Sequence, residues 1–269
     1  QVDAKGLHAW WLNFNEPVLN QLVDKVLSNS PDRQIAAARI VEARGVRRTQ
    51  RSSLFPQLGL SVQGSREEFG FVGPEGFSDA RFDASFELDI FGRNRKNLKA
   101  ADADILALEN QYRDITLTLL AEVSRTYIDY RGFAKQAAIA SKNLKAQKRT
   151  LALIVNQKRL GEATQLDVAR AENLVNSTMS SIPEFERLSD NARLALGVLT
   201  GELPERLLDI LAQADRIPGA NIEPVLLAPS KVLTLRPDVR AASVNLQASS
   251  SLVGAATAEL WPSFTLSGF

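Results

Sequence analysis

The spacing of hydrophobic residues changes from a helical period to a strand period within the first quarter of the chain. Apolar residues from Trp10 to Leu27 recur every three or four positions, which predicts an amphipathic helix. Residues 31–53 predict a second helix, because a proline suits the first turn and the stretch is rich in alanine. Leu58, Leu60 and Val62 then alternate with small or polar residues, which predicts a strand.

The alternation returns in its clearest form on the next strand, and it separates apolar from polar side chains. The apolar face comprises Phe82, Ala84, Phe86, Leu88 and Ile90, with Leu58, Leu60 and Val62 on the preceding strand. The polar face comprises Asp83, Ser85, Glu87 and Asp89. A strand of about ten residues can cross a bilayer. We therefore predict a transmembrane β-hairpin over 54–92, with an extracellular loop over 65–81, the apolar face toward lipid and the polar face toward a lumen. A half-exposed hairpin of a soluble sheet is the alternative.

Two long helices are predicted after the hairpin. The stretch from Arg93 to Leu160 contains no proline and keeps a helical apolar period. About 65 helical residues would extend about 100 Å, so such a helix needs partner helices along its length. Gly161 and Thr164 suit a turn over 159–164, after which a second helix runs back to Gly201.

An internal repeat indicates the architecture. Pro31-Asp32 and Phe55-Pro56 are echoed by Pro237-Asp238 and Trp261-Pro262, at an offset of about 206 residues. Each copy changes from helical to strand character at the proline. The expectation is that 231–269 begins a second copy, which a further strand, loop and helix pair after Phe269 would complete. Two such copies supply four strands, too few to close a barrel, so closure requires several chains.

Composition excludes several kinds of chemistry. The chain has no cysteine, one histidine and a net charge of +1. Thiol nucleophiles, disulfides and Cys-ligated metals are therefore excluded, and His-based catalysis has little to work with. The carboxylates lie on periodic faces rather than in a convergent constellation. We predict no enzyme activity, no catalytic residues, no metal site and no cofactor.

Basic residues cluster just before the first strand and just after the second. The clusters comprise Arg44, Arg47, Arg48 and Arg51, then Arg93, Arg95 and Lys96. At a membrane edge each charge would contribute at best about 1 kcal/mol of attraction to anionic headgroups. Liposome binding that ignores anionic lipid content would contradict this prediction. No nucleic-acid partner is expected, because no aromatic stacking platform accompanies the charges.

Several motifs, in order, match one known family. They are Ala38-Arg39-Ile40, Glu42-Ala43-Arg44, Leu54-Phe55-Pro56-Gln57, Phe86 to Arg93 (FELDIFGR), Arg159-Leu160-Gly161, Leu166-Asp167-Val168, Leu196 to Gly201, and Arg236 to Ala242 (RPDVRAA). With these motifs the sequence resembles the outer-membrane factor (TolC-like) family, especially its drug-efflux outer-membrane lipoprotein branch (OprM/NodT-like). That branch carries an N-terminal lipidated cysteine, which this sequence lacks, so a lipid anchor would need an upstream segment.

The resemblance implies a mainly α, α+β fold: long antiparallel coiled-coil helices forming a periplasmic α-barrel, and hairpins forming a trimeric twelve-stranded β-barrel. It also implies an outer-membrane location extending into the periplasm. The expected partners are two further copies of the chain, outer-membrane lipid, a periplasmic membrane-fusion adaptor and, through it, an RND-type inner-membrane pump. Adaptor contacts are expected at the turn, on Arg159, Leu160, Gly161, Ala163, Thr164, Leu166 and Asp167; a plain interhelical turn is the alternative.

The expected organisation has five parts. Residues 1–53 would form equatorial and first barrel helices, 54–92 the hairpin, 93–201 the periplasmic helix pair, 202–230 an irregular equatorial connector, and 231–269 the start of the second repeat. The expected function is a passive conduit that exports drugs or other small molecules in a tripartite efflux system. The alternatives are a channel for protein or oligosaccharide secretion and a soluble coiled-coil scaffold, which would stay monodisperse without detergent.

Overall fold

The chain divides into two units. The computed structural model describes residues 9–69, 72–213, 216–219 and 233–269. The first unit comprises Gln1–Gln34 and Ile115–Leu226, and the second comprises Ile35–Asp114 and Leu227–Phe269. Helices α2 (Pro31–Ser52) and α3 (Arg93–Arg159) contribute residues to both units. The 67 residues of α3 form one continuous helix, as the absence of proline predicted.

The first unit begins with two short helices where the sequence predicted one. A 3-10 helix spans Trp10–Phe14 and helix α1 spans Pro17–Asn29. Asn15 takes the left-handed conformation, with a φ of 47°, and Glu16 is extended. The prediction of an unbroken helix was wrong because Pro17 has no backbone N–H to donate to the preceding turn and therefore begins a new helix.

Helix α1 supplies much of the hydrophobic core of the first unit. It packs against α4 (Gln165–Thr200) and α5 (Pro204–Leu211). The fully buried side chains of the core come from α1, α3, α4 and α5: Val18, Leu19, Leu22, Val23, Val26, Val123, Tyr127, Leu196, Leu207 and Leu211. The α1 members recur every three or four residues, so one face of that helix is entirely apolar and buried.

Helix α5 lies within the segment predicted to be an irregular connector. Pro204 stands at its N-terminal end, where a proline is compatible with helix, so the prolines of 202–230 misled the prediction. The Arg131 guanidinium on α3 fixes α5 by donating to the Leu211 carbonyl and to the Tyr127 hydroxyl. Burial raises the pKa of Tyr127. The rest of the predicted connector lies mostly outside the described residues.

The second unit contains an antiparallel sheet of strand order β1-β2-β3. The strands are β1 (Gln57–Phe69), β2 (Val72–Leu88) and β3 (Phe264–Gly268). The extracellular loop predicted over 65–81 is therefore mostly strand, with only residues 70 and 71 outside the described part. Glycines and charges suggested a loop, but paired strands can carry both on open faces.

The two copies of the repeat have matching structures. Helices α2 and α6 (Pro237–Ala258) are both 22 residues long, and each is followed by a proline and a strand. Residues Ala241, Ala248 and Ala255 are buried on α6 at seven-residue intervals. A heptad period of small side chains permits a close approach between helices. Consistent with this, the Lys96 ammonium on α3 donates to the Gly254 carbonyl at 3.0 Å.

Gly201 ends α4 at a point of close backbone approach, and its substitution provides a test of this packing. Its φ is 65°, and an added Cβ would lie 2.8 Å from the carbonyl oxygen of Asn29. We expect Gly201→Ala to cost more than the about 1–3 kcal/mol of a left-handed residue alone. Gly161→Ala is the matched control, since its φ is +80° but no atom lies within 4 Å of the added Cβ. Equal melting temperatures for the two variants by circular dichroism would contradict the expectation.

Candidate functional site

The strand register sorts the side chains of the sheet onto two chemically different faces. Residues directly opposite in an antiparallel pair point to the same face. Leu58 pairs with Ala84, and Leu60 pairs with Phe82. The apolar face includes Leu58, Leu60, Val62, Ala80, Phe82, Ala84, Phe86, Leu88, Phe264 and Leu266. All predicted apolar positions except Ile90 therefore share one face, and β3 extends it.

Most of the apolar face is exposed within the described part of the chain, while Ala84 and Phe86 are half-buried. Leu60 and Val62 are 73% and 75% exposed, and Phe82 and Leu266 are also exposed. The apolar positions Ala80 to Leu88 extend about 26 Å along β2, or about 20 Å across a membrane at a tilt of about 40°. Membrane strands carry an apolar band of about 25 Å, so this face has the dimensions of a lipid contact.

The opposite face of the sheet is polar, and it differs from the predicted set. Asp83, Ser85 and Glu87 lie on it as predicted, beside Gln57, Ser61, Gln63, Thr265 and Ser267. Asp79 and Arg81 also lie on this face, since they pair with Gln63 and Ser61. The sequence did not predict that Asp79 and Arg81 lie on the polar face, because both fell inside the predicted loop. Arg81 places a positive charge between two aspartates, so the face is less acidic than expected.

Asp89 and Ile90 lie beyond the end of β2, so their assignment to the strand faces was wrong. The Asp89 carboxylate accepts hydrogen bonds from the backbone amides of Asn94 and Arg95, at 3.0 and 2.9 Å. Burial raises the pKa of Asp89, but these amides and the Arg95 guanidinium outweigh it and hold the pKa below its usual value. The free amides at the start of α3 require an acceptor, and Asp89 supplies it.

The basic residues flanking the hairpin are mostly paired within the second unit. Arg44 and Arg47 on α2 form ion pairs with Glu109 and Asp102 on α3. The Arg51 guanidinium lies 6.0 Å above the Phe55 ring, while Arg48 is exposed on the same helix. Arg93 pairs with Glu87, Arg95 with Asp89, and Lys96 with a carbonyl. The binding of these basic residues to anionic lipid stays a prediction. Because most of them are paired, fewer positive charges are available for it than the sequence suggested.

The interhelical turn of the first unit has well-defined caps at both ends. The Glu162 amide donates to the Gln157 carbonyl and the Gly161 amide to the Lys158 carbonyl, which forms a Schellman motif. Gly161 takes the left-handed conformation predicted for it. Thr164 and Asp167 form a reciprocal capping box, with backbone-to-side-chain distances of 2.9 and 3.2 Å. Hydrogen bonds from Thr164 lower the pKa of Asp167, so its carboxylate stays ionised at neutral pH.

Two leucines project from this turn. Leu160 is 71% exposed, and Leu166 is also exposed, while Ala163 and Asp167 are half-buried. The Schellman motif and the capping box supply hydrogen-bond partners for the backbone of the turn from within the turn itself. Exposed leucines on a rigid turn therefore provide an apolar contact surface next to the Arg159 charge.

Neither a membrane-spanning helix nor a metal site occurs among the described residues. Across residues 9–69, 72–213, 216–219 and 233–269, every helix is too short or too polar to cross a bilayer. The same residues contain no group of three or more histidines or carboxylates placed to hold a metal ion.

The long pair of helices and the strand hairpin with one apolar and one polar face are together the features expected of an outer-membrane protein. The chain belongs to the outer membrane efflux protein family, whose profile matches residues 22–202, more than half of its length. This confirms the resemblance seen in the sequence motifs.

Curated relatives match nearly the whole chain. The pyoverdine export outer membrane protein OpmQ of Pseudomonas aeruginosa is 30% identical over 98% of this chain and 58% of its own. The toluene efflux pump outer membrane protein TtgF of Pseudomonas putida is 32% identical over 96% of this chain and 54% of its own. The chain therefore spans little more than half the length of these relatives.

Solved structures agree with the fold. The outer-membrane channel OprN is 34% identical and gives a TM-score of 0.86, covering 97% of this chain and 60% of that one. The open-state outer membrane channel MtrE of Neisseria gonorrhoeae is 28% identical, with a TM-score of 0.78, 93% coverage of this chain and 57% of that one. The mainly helical fold predicted from the sequence is confirmed.

Proposed function

We propose that the chain is part of a trimeric outer-membrane channel that conducts small molecules passively in a tripartite efflux system. The two faces of the sheet are the main observation behind this proposal: a mostly exposed apolar face, about 20 Å high at a typical strand tilt, lies opposite a face lined by carboxylates, hydroxyls and amides. In hydrocarbon only paired backbone groups are stable, and a polar face requires water. Several copies closing one barrel satisfy both requirements.

Pairing with further strands is supported by the edges of the sheet. Within the described residues β1 and β3 each pair with β2 alone, so their outer edges carry backbone groups without a strand partner. Hydrogen bonding to strands from further copies, or from the completion of the second repeat, satisfies these groups. A soluble scaffold would leave both the edges and the apolar face in water.

The small-molecule cargo is inferred from relatives of different specificity. OpmQ is described as exporting pyoverdine, and TtgF as part of a toluene efflux pump. These compounds differ greatly in polarity, yet the two proteins are similarly related to this chain. We infer a conduit whose cargo is selected by its partners, and no feature of the residues that the structure describes favours protein or oligosaccharide secretion.

A charge placed on either face of β1 tests the membrane-spanning hairpin. Leu60→Lys puts a cation toward lipid, at a cost of about 2–4 kcal/mol near the bilayer midplane, so we expect at least about ten-fold fewer insertion events in planar bilayers. Gln63→Lys is the matched control, because it lies on the polar face opposite Asp79. Equal insertion of both variants, or monodisperse wild-type protein without detergent, would contradict the proposal.

Ion selectivity tests which carboxylates line the lumen. Asp83 lies on the polar face, whereas Asp89 is bonded to helix amides outside the strand. We expect Asp83→Asn to lower the ratio of cation to anion permeability and Asp89→Asn to leave it nearly unchanged. The ratio is measured from reversal potentials in a salt gradient. A larger effect of Asp89→Asn than of Asp83→Asn would contradict this assignment and indicate that Asp89 lines the lumen.

The interhelical turn is the proposed contact for a periplasmic adaptor, and through it for an RND-type pump. Exposed Leu160 and Leu166 supply apolar anchors, and the caps hold them in place without a partner. An apolar anchor at an interface centre contributes about 2 kcal/mol, so we expect Leu160→Ser to weaken adaptor binding about thirty-fold and to reduce dye export from cells. Glu162→Ser, a neighbouring polar position, is the control. Equal dye export by the two variants, at equal protein levels, would argue against this contact.

A further inference from the structure

A cavity lies where the two copies of the repeat meet at the base of the sheet. It encloses about 400 Å³ and is formed by the end of β2, the start of α3 and the link from α6 to β3. The side chains that matter for its chemistry are Glu87, Phe91, Arg93, Glu259 and Trp261. All of them belong to the second unit, and the proposed adaptor contact and lumen face do not use Phe91, Glu259 or Trp261.

The cavity presents an aromatic surface with one open side. The rings of Phe91 and Trp261 stack with their centroids 5.4 Å apart and an interplanar angle of 14°. Phe91 covers one face of the indole, yet Trp261 as a whole remains 59% exposed. The second face of the indole is therefore accessible, and an indole is the best aromatic partner for a cation.

Comparison of the two copies shows what the second one lacks. Trp261 corresponds to Phe55, and Thr257 corresponds to Arg51, since both pairs have the same offset in the repeat. In the first copy the Arg51 guanidinium lies 6.0 Å above the Phe55 ring, so the chain supplies its own cation. In the second copy a threonine stands at that position, and the stronger aromatic ring has no cation from its own helix.

Arg93 lies between two carboxylates at the same place, and its ion pair with one of them is long. The Arg93 guanidinium donates from Nη2 to both carboxylate oxygens of Glu87, at 2.9 and 2.8 Å. Its Nη1 lies 3.8 Å from Glu259 Oε1, beyond hydrogen-bond distance. The Glu259 side chain is 61% exposed. A carboxylate and a guanidinium in an exposed ion pair without a hydrogen bond can separate, and together they are complementary to a ligand that carries both charges.

We propose that this cavity binds the zwitterionic headgroup of an ammonium-bearing phospholipid. The ammonium group lies against the open face of Trp261 and is bonded to the Glu259 carboxylate, and the phosphate accepts hydrogen bonds from Nη1 of Arg93. A primary ammonium fits best, because it can donate hydrogen bonds to the carboxylate as well as contact the ring. Phosphatidylethanolamine is the lipid with this chemistry.

The surroundings of the cavity suit a lipid rather than a free solute. Leu88 and Ile90 line it and are exposed, so apolar surface continues from the cavity onto the end of the strand. An acyl chain leaving the headgroup meets that surface, and indole rings are typical of the bilayer interface. The inference rests on the membrane-spanning hairpin of the proposed function, and it specifies which lipid contacts the base of that hairpin.

Competition between headgroups tests the site. The full-length protein, purified in detergent, is incubated with equal amounts of phosphatidylethanolamine, phosphatidylcholine and phosphatidylglycerol that share the same acyl chains, and bound lipid is measured by native mass spectrometry. We expect phosphatidylethanolamine to exceed phosphatidylglycerol by about three-fold, because its ammonium must contact the Trp261 ring and the Glu259 carboxylate together to be held in the cavity. Phosphatidylcholine should fall between them, because its ammonium cannot donate hydrogen bonds.

Variants of the cavity separate this site from general lipid binding. Glu259→Gln and Trp261→Leu should each bring the ratio to about one, whereas Glu172→Gln, which removes an exposed carboxylate from α4, should leave it unchanged. Matching melting curves exclude misfolding, and Glu259→Asp should restore part of the preference. An unchanged ratio in Glu259→Gln, or equal binding of phosphatidylglycerol to the wild type, would overturn the inference.

Bilayer conductance of the same preparations distinguishes the two proposals. A conducting wild type without headgroup preference refutes the lipid site and leaves the channel intact. Headgroup preference with membrane insertion but without conductance refutes the channel and keeps the site.

Discussion

The hydrogen-bonded register of β2 against both of its neighbours is the constraint on which the other features of the second unit depend. Side chains on a strand alternate between faces, so a slip of one residue in either pairing would exchange apolar and polar positions. The observed register avoids this exchange where residues 57–63 pair with 79–85 and where β3 pairs with β2: leucines and phenylalanines meet alanine, leucine or phenylalanine, and serines and carboxylates meet other polar groups or glycine. Lipid can therefore contact one face of the sheet while water contacts the other.

Asp89 lies at the junction between sheet and helix, where its carboxylate could either belong to the polar face of the strand or accept hydrogen bonds from the start of α3. Alternation would keep this residue on the polar face of the strand, but the first amides of α3 have no acceptor within their own helix. In the structure β2 ends at Leu88 and Asp89 bonds these amides, since a buried amide without an acceptor costs about 1–3 kcal/mol. Gly92, with a φ of 79°, makes the change of direction possible. Glu87 is consequently the last carboxylate of the sheet, and it is shared with Arg93.

The sequence predicted those features that depend on local chemistry. The uninterrupted α3, the Gly161 and Thr164 caps and the repeat at Pro31 and Pro237 follow from residue types whose conformational preferences are strong. The extent of the hairpin was not predictable in this way. Glycine and charge around positions 65–81 resemble a loop, because residue composition does not reveal that a strand face is open to water. Asp79 and Arg81 were missed for that reason.

The contacts of the candidate site between residues far apart in the chain could also not be predicted from the sequence. Nothing near Arg44 or Arg47 indicates that acidic residues of α3 neutralise them. The stack of Phe91 on Trp261 joins residues far apart in the chain, although the echo of Phe55-Pro56 in Trp261-Pro262 had already indicated equivalent positions. Comparison of the two copies position by position, at Arg51 and Thr257, is the signal that could have identified the cavity.

The equal lengths of α2 and α6 limit how this protein can evolve. A helix turns by about 100° per residue, so one inserted or deleted residue would rotate the strand that follows and present the wrong face to its neighbour. Both 22-residue helices lead into strands that pair with the same central strand. Changes in residue type can accumulate independently in each copy, as Arg51 and Thr257 show, whereas a change in length in one copy requires a simultaneous adjustment in the other.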